Sequence, residues 1–312
     1  MGAADAVPGV SGGTIAFVTG IYEELIHTIK QFGPGAYVAW RRGGWRMLAV
    51  HLNLAFLLPL LAGIAISLIS VAHLVVWLLD DHLLLLNGFF MGLVAASAMV
   101  VGRHPSDWRW WHLLPLAAGL LLAHGLPSLM PLITQIGNPA LILVVGGAIA
   151  ISAMLLPGVS GSFLLLTMGL YGTVMQGIRS FDIGLIGFFG LGCLIGLFVF
   201  SRLLSWLLHH HHTATLQLLL GFIVGSLPVL WPWQVMLSYQ LGPEGQQIPL
   251  DYRYFTPDGF TQWTGEAAHL PAVVALMLVG AVLVLGLGRL GHASAARSRP
   301  SNASHREEGS DA

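Results

Sequence analysis

Pro8-Gly9-Val10-Ser11-Gly12-Gly13 returns 149 residues later as Pro157-Gly158-Val159-Ser160-Gly161-Ser162. At the same offset Ala4 matches Ala153, Gly20 matches Gly169, Tyr22 matches Tyr171, Ile29 matches Ile178 and Phe32 matches Phe181. A Pro/Gly/Ser interruption of apolar sequence, held in register this far, marks two related halves. In a membrane chain, Gly/Pro-interrupted segments at corresponding places in two halves point to a ligand site at their interface.

The chemistry of the phrase supports that reading. Proline lacks the backbone N–H and disfavours helix in the residue before it. Gly9 and Gly158 permit backbone angles closed to other residues. Ser11 and Ser160 suit the N-cap of a following helix. The expected structure is helix, break and new helix N-terminus inside the membrane, where irregular backbone must be buried in protein or line a wet cavity. A helix N-terminus offers free N–H groups and partial positive charge to a phosphate or carboxylate. Gly12, Gly13 and Gly161 would allow an anion close to the backbone. The competing reading is a pair of helix kinks whose small residues serve tight packing.

Composition makes this an integral membrane protein. Hydrophobic residues form 55% of the chain, charged residues 9%, and mean hydropathy is +0.78. The apolar runs Met47 to Leu79, Leu83 to Val101, Ile183 to Leu208, Leu216 to Trp231 and Pro271 to Leu287 approach or exceed the roughly 18 residues that a spanning helix needs. A net charge of −1 gives no nucleic-acid footprint, and the single cysteine, Cys193, excludes an intrachain disulfide. No signal peptide is evident.

Positive charge near membrane ends stays cytoplasmic. With Lys30 to Arg46 inside, ten of the thirteen Lys and Arg residues fall in cytoplasmic segments. Arg179 and Arg253 then lie outside and Arg202 within a helix, while the tail carrying Arg289 to Arg306 ends inside. Each half reads as a hairpin element bearing the phrase, followed by three spans; three is odd, so the second half enters from the opposite face. A second register, Gly63, Gly88, Phe89 and Gly92 against Gly196, Gly221, Phe222 and Gly225 at an offset of 133, marks the Gly33 to Leu48 segment as an insertion in the first half. The expected fold is an all-α integral membrane bundle of two inverted-topology repeats, each a broken, re-entrant hairpin plus three transmembrane helices. Residues 1–130 form the first repeat, 131–290 the second with an outer loop at 238–268, and 291–312 a disordered tail. An apolar helix precedes Pro157 but only seven residues precede Pro8, so either the first hairpin arm is missing or the true start lies upstream of Met1, the second being the favoured expectation.

The substrate-binding candidates are Ser11, Gly12, Gly13, Thr14, Ser160, Gly161, Ser162 and Arg202. Ser162, Thr14 and Thr167 are hydroxyl donors one or two turns into the hairpin helices. Arg202 could pair with a phosphate headgroup or snorkel to the surface. Asp5, Glu23 and Glu24 are the acids of the first hairpin, where intramembrane acids suggest coupling to a proton or cation; water or Lys30 could equally satisfy them. The His209 to His212 run reads as a solvated turn, because consecutive residues do not converge on a metal. Trp108, Trp110, Trp111, Trp231 and Trp233 read as interfacial anchors. No metal and no cofactor is expected.

The first copy, from Ala3-Ala4-Asp5-Ala6-Val7-Pro8-Gly9-Val10-Ser11-Gly12-Gly13-Thr14 through Gly20-Ile21-Tyr22-Glu23, resembles the signature of the bacterial polyprenyl-phosphate translocases, a family long catalogued as a domain of unknown function. The second copy, Leu156 to Ser162 and on to Tyr171, resembles its partner motif. The resemblance covers roughly residues 3 to 290. It implies a multi-pass flippase of the bacterial cytoplasmic membrane that returns undecaprenyl phosphate, the carrier lipid of wall synthesis, to the cytoplasmic leaflet, with Glu23 at the motif's acidic position. The long outer loop departs from the pattern.

The residues agree with that implication: an anion site inside an apolar bundle suits a phosphate head on a hydrocarbon tail, whose unaided burial is prohibitive. Two other classes compete. Membrane lipid pyrophosphatases use inverted hairpins with a Pro-Gly-x-Ser break, but those place an Arg after the Ser, where this chain has Gly12 and Gly161. A small-anion channel or antiporter could use the same helix ends.

Overall fold

The computed structural model describes residues 1–2, 11–102, 109–130, 137–241 and 247–297. Two short helices, α1 (Gly12–Val18) and α2 (Tyr22–Lys30), open the described chain and are followed by α3 (Pro34–His51), α4 (Leu54–Asp81), α5 (Leu83–Gly102) and α6 (Leu113–Leu129). The second half holds α7 (Pro139–Leu155), α8 (Gly161–Thr167), α9 (Tyr171–Arg179), α10 (Ile183–His210) and α11 (His212–Ser226). Strands β1 (Gln234–Leu241) and β2 (Gln247–Tyr254), α12 (Pro257–Thr264) and α13 (Leu270–Arg297) complete it.

The repeated sequence builds a repeated structure. In both copies a seven-residue helix meets a nine-residue helix through one left-handed glycine, Gly20 (φ 76°) and Gly169 (φ 69°). The closing bonds match: Ile21 N–H donates to Ala16 and Gly20 N–H to Phe17, as Leu170 N–H donates to Leu165 and Gly169 N–H to Leu166. Such a pair ends a helix by satisfying its last carbonyls. The bend between α8 and α9 is 105°.

Among the described residues three helices are long and apolar enough to cross a membrane, α5, α10 and the stretch His212–Leu230, and up to five spans result if each bent pair counts as one. The Met47 to Leu79 run is divided between α3 and α4, which meet at a 50° bend where Asn53 takes a positive φ of 47°. Burial arranges the spans: 56% of the apolar window of both α5 and the His212–Leu230 stretch lies inside the protein, against 11% for α10. The first two are therefore central and α10 peripheral.

Glycine sets the close approach of the long helices. Side chains added at Gly92 on α5 or Gly280 on α13 would overlap the backbone of the partner helix. Gly147 on α7 with Gly192 on α10, and Gly119 on α6 with Gly221 on α11, do the same. Without a hydrophobic drive between helices in lipid, close backbone packing of this kind holds a bundle together.

The segment expected as an outer loop is not wholly irregular. β1 and β2 form an antiparallel hairpin, and α12 follows. The chain is mostly helical, consistent with the all-α expectation, and one small strand pair is added to it. Trp233, expected as an interfacial anchor, is 4% exposed in a cluster with Phe260 and Val273, and its indole N–H donates to the Ala268 carbonyl at 2.9 Å. It ties the hairpin unit to the top of α13. Trp110 and Trp111 are exposed, while Trp108 lies outside the described residues, as does the tail beyond Arg297.

Candidate functional site

The two copies of the phrase touch. Ser11 caps α1, its Oγ accepting from Gly13 N–H at 3.1 Å and donating to the Leu156 carbonyl at 3.5 Å. Three residues on, the Thr14 hydroxyl accepts the amide of Gly158 at 2.9 Å. Beyond the Gly20 turn, the Tyr22 hydroxyl donates to the Leu155 carbonyl at 2.6 Å. These three side chains are 4%, 1% and 2% exposed. The interrupted backbone of the second copy, which has left helical geometry at Leu156 (ψ 127°), is thus satisfied by side chains of the first, as buried backbone groups must be.

Gly158 is required twice over. Its φ is +84°, and a Cβ there would come within 2.6 Å of the Phe222 carbonyl oxygen on α11. One residue type therefore admits both the turn and the seat on the central helix.

The two copies differ in access. Gly12, Gly13, Ser11 and Thr14 are all buried. In the second copy Ser160 caps α8, accepting from Phe163 N–H at 3.4 Å, and its Oγ lies 3.1 Å from that of Ser162. Ser160 is half-buried and Ser162 exposed, while Gly161 is buried against the Ala150 carbonyl of α7. The accessible hydroxyls of the paired phrase are those of Ser160 and Ser162.

A family model described as undecaprenyl phosphate translocase-like matches residues 1–248. The chain belongs to that family. It is 41% identical over 288 residues to the polyprenyl-phosphate transporter of Vibrio cholerae serotype O1, covering 92% of each chain. It is 32% identical over 250 residues to the polyprenyl-phosphate transporter of Staphylococcus aureus, covering 74% of this chain and 83% of the relative. No solved structure matches it significantly.

Within this translocase-like chain the remaining site candidates occupy separate places. Glu23 Oε1 lies 2.9 Å from His212 Nε2, joining α2 to the first residue of α11, and both side chains are more than half exposed. Glu24 accepts from Asn53 Nδ2 at 2.9 Å, and Asn53 also reaches the buried Thr28 hydroxyl at 3.4 Å. Arg202 is not beside the breaks: its Nη1 donates to the Phe198 carbonyl at 3.0 Å, and its guanidinium lies against Gly33. Tyr22 and Gly33 flank opposite ends of α2, so Arg202 and the breaks are separated by that helix, about 12 Å long along its axis. Asp5 lies outside the described residues, as do Pro8 and Gly9.

The His209 to His212 turn is exposed, as expected, but His212 has a specific acidic partner that sequence reasoning missed. No pattern links residues 189 positions apart. Tyr22 was also missed as a strut, although its match with Tyr171 was the available signal. Among the described residues no group of three His, Cys, Asp or Glu side chains is arranged to hold a metal ion.

Proposed function

We propose that this chain moves undecaprenyl phosphate, or a related polyprenyl phosphate, between the leaflets of a bacterial cytoplasmic membrane and returns it to the cytoplasmic side. The observation that carries the reading is the contact of the two phrase copies through Gly158 and Thr14, in a member of a translocase-like family. A phosphate head would bind at the paired breaks, through Ser11, Gly12, Gly13, Thr14, Ser160, Gly161 and Ser162, with its hydrocarbon tail in the apolar surroundings. Glu23, with Glu24 and Asp5, would carry the coupling proton or sodium ion.

Two inverted repeats, residues 1–130 and 131–290, with the C-terminal tail 291–312 cytoplasmic, complete the proposal. The matching helix-glycine-helix units and the distribution of Lys and Arg support it. We assign no enzymatic step: Gly12 and Gly161 stand where a phosphoryl-transfer site of this type would place its Arg.

Leaflet-resolved measurement of undecaprenyl phosphate in depleted cells tests the reading. Accumulation in the outer leaflet, reversed by the intact chain, is expected. An unchanged leaflet ratio with rising undecaprenyl pyrophosphate would point instead to a phosphatase.

A further inference from the structure

Arg202 and Lys30 come from α10 and α2, yet they converge on one small region at the end of α2. Lys30 Nζ donates to Ser205 Oγ at 3.2 Å. Ser205 stands one helical turn beyond Arg202, on the same face of α10. The Arg202 guanidinium is folded back onto its own helix, 5.5 Å from the Phe198 ring centroid and bonded to the Phe198 carbonyl. It lies so close to Gly33 that a Cβ there would sit 2.5 Å from Nη2. Both side chains are exposed, and each is tied to α10 by a hydrogen bond.

Among the described residues neither cation forms an ion pair with a carboxylate, the acids of α2 being engaged by His212 and Asn53. Two positive side chains and a hydroxyl, gathered without an acid, complement an anion. Each cation keeps further N–H donors beyond the bond described: a lysine ammonium has three and a guanidinium five.

Depth specifies the ligand. Asp182 caps the other end of α10, and Arg202 lies twenty residues on, about 30 Å at the helical rise, which is the thickness of the hydrocarbon core. A hydrocarbon core of that thickness laid from Asp182 would end at Arg202, at the level of lipid headgroups.

We propose that Lys30, Arg202 and Ser205 form a second anion site, apart from the breaks, that takes a phosphate monoester at the membrane boundary. It rests on the translocase reading, and serves as a station where the headgroup is received or released. Gly33 makes the site by leaving space for the guanidinium.

The test is binding of farnesyl phosphate, and separately of inorganic phosphate, to the full chain in phosphatidylcholine nanodiscs. Lys30→Gln and Arg202→Gln are each expected to weaken farnesyl phosphate about tenfold, the effect of losing one charge-assisted contact. Gly33→Val, which keeps both charges but displaces the guanidinium, should do the same, while Arg202→Lys retains most of the affinity and reports on folding. Competition by inorganic phosphate at similar concentration would support the site and assign it to the free ion; weak competition would support it as a lipid-headgroup site. Wild-type affinity in Lys30→Gln, Arg202→Gln and Gly33→Val alike would overturn the site and leave the translocase reading standing. Failure of the wild-type chain to bind or move farnesyl phosphate would overturn both.

Discussion

The amide of Gly158 is satisfied by the hydroxyl of Thr14, 144 residues earlier in the chain. A broken helix leaves backbone donors and acceptors without intrahelical partners, and here one half of the molecule supplies what the break in the other half lacks. Thr14→Val keeps the shape and removes the acceptor. A buried, unsatisfied N–H costs about 1–3 kcal/mol, so the purified variant should unfold at lower temperature and transport poorly. Thr14→Ser should restore both.

Tyr22→Phe tests the second strut. It deletes the donor to the Leu155 carbonyl and leaves the ring against Phe17, which it meets edge-on at 5.1 Å. The expected loss is about 1 kcal/mol or somewhat more. Combined with Thr14→Val, the two effects should fall short of additive or exceed it, since both groups hold one contact. Strict additivity in thermal denaturation would separate the two struts.

Alanine at two left-handed glycines distinguishes turn from seat. At Gly169 nothing lies within 4 Å of the added Cβ, so Gly169→Ala should cost only the left-handed conformation, about 1–2 kcal/mol. Gly158→Ala adds a clash with the Phe222 carbonyl and should be much worse, measured as folded yield and unfolding temperature. Equal penalties would show that α11 yields at no cost.

Glu23→Gln and His212→Gln separate coupling from stability. The pair is exposed, and such pairs contribute well under about 1 kcal/mol. Glu23→Gln should therefore fold as the wild type does, yet lose the dependence of transport on pH or sodium. A variant with unaltered ion dependence would remove Glu23 from the coupling proposal.

The strand-hairpin unit has its own alkaline limit. Burial, with the neighbouring Tyr254 as a lesser cause, pushes the Tyr252 hydroxyl up to about 12 from its usual 10. The folded unit thus holds this proton more tightly than the unfolded chain does. Its contribution is complete below pH 10 and is lost as pH rises through about 12. Absorbance titration of tyrosinate in wild type and Tyr252→Phe should show the late-titrating group disappear.

Much of this was legible before any coordinates. Apolar runs locate the long helices because span length is a property of composition, and the repeated Gly20 and Gly169 mark both turns because only glycine occupies that geometry readily. The register linking Gly88 and Gly92 to Gly221 and Gly225 anticipates close packing on the two central helices. The Glu23–His212 contact, the seat of the Arg202 guanidinium against Gly33 and the burial of Trp233 were not legible. Each depends on how separate helices cross, which no local pattern encodes. The strand pair was hidden because β1 and β2 are short and do not alternate cleanly between apolar and polar residues.

The hydroxyl that holds Gly158 has no equivalent in the second copy. At the offset that aligns the copies, Thr14 corresponds to Phe163, whose side chain carries no hydroxyl to accept an amide. Two halves alike in outline are therefore unequal in energy: a motion that exchanged their roles would leave one state short of a latch worth about 1 kcal/mol. Any motion that parts the two copies must therefore break this bond, and the copy that gives up its partner is always the second.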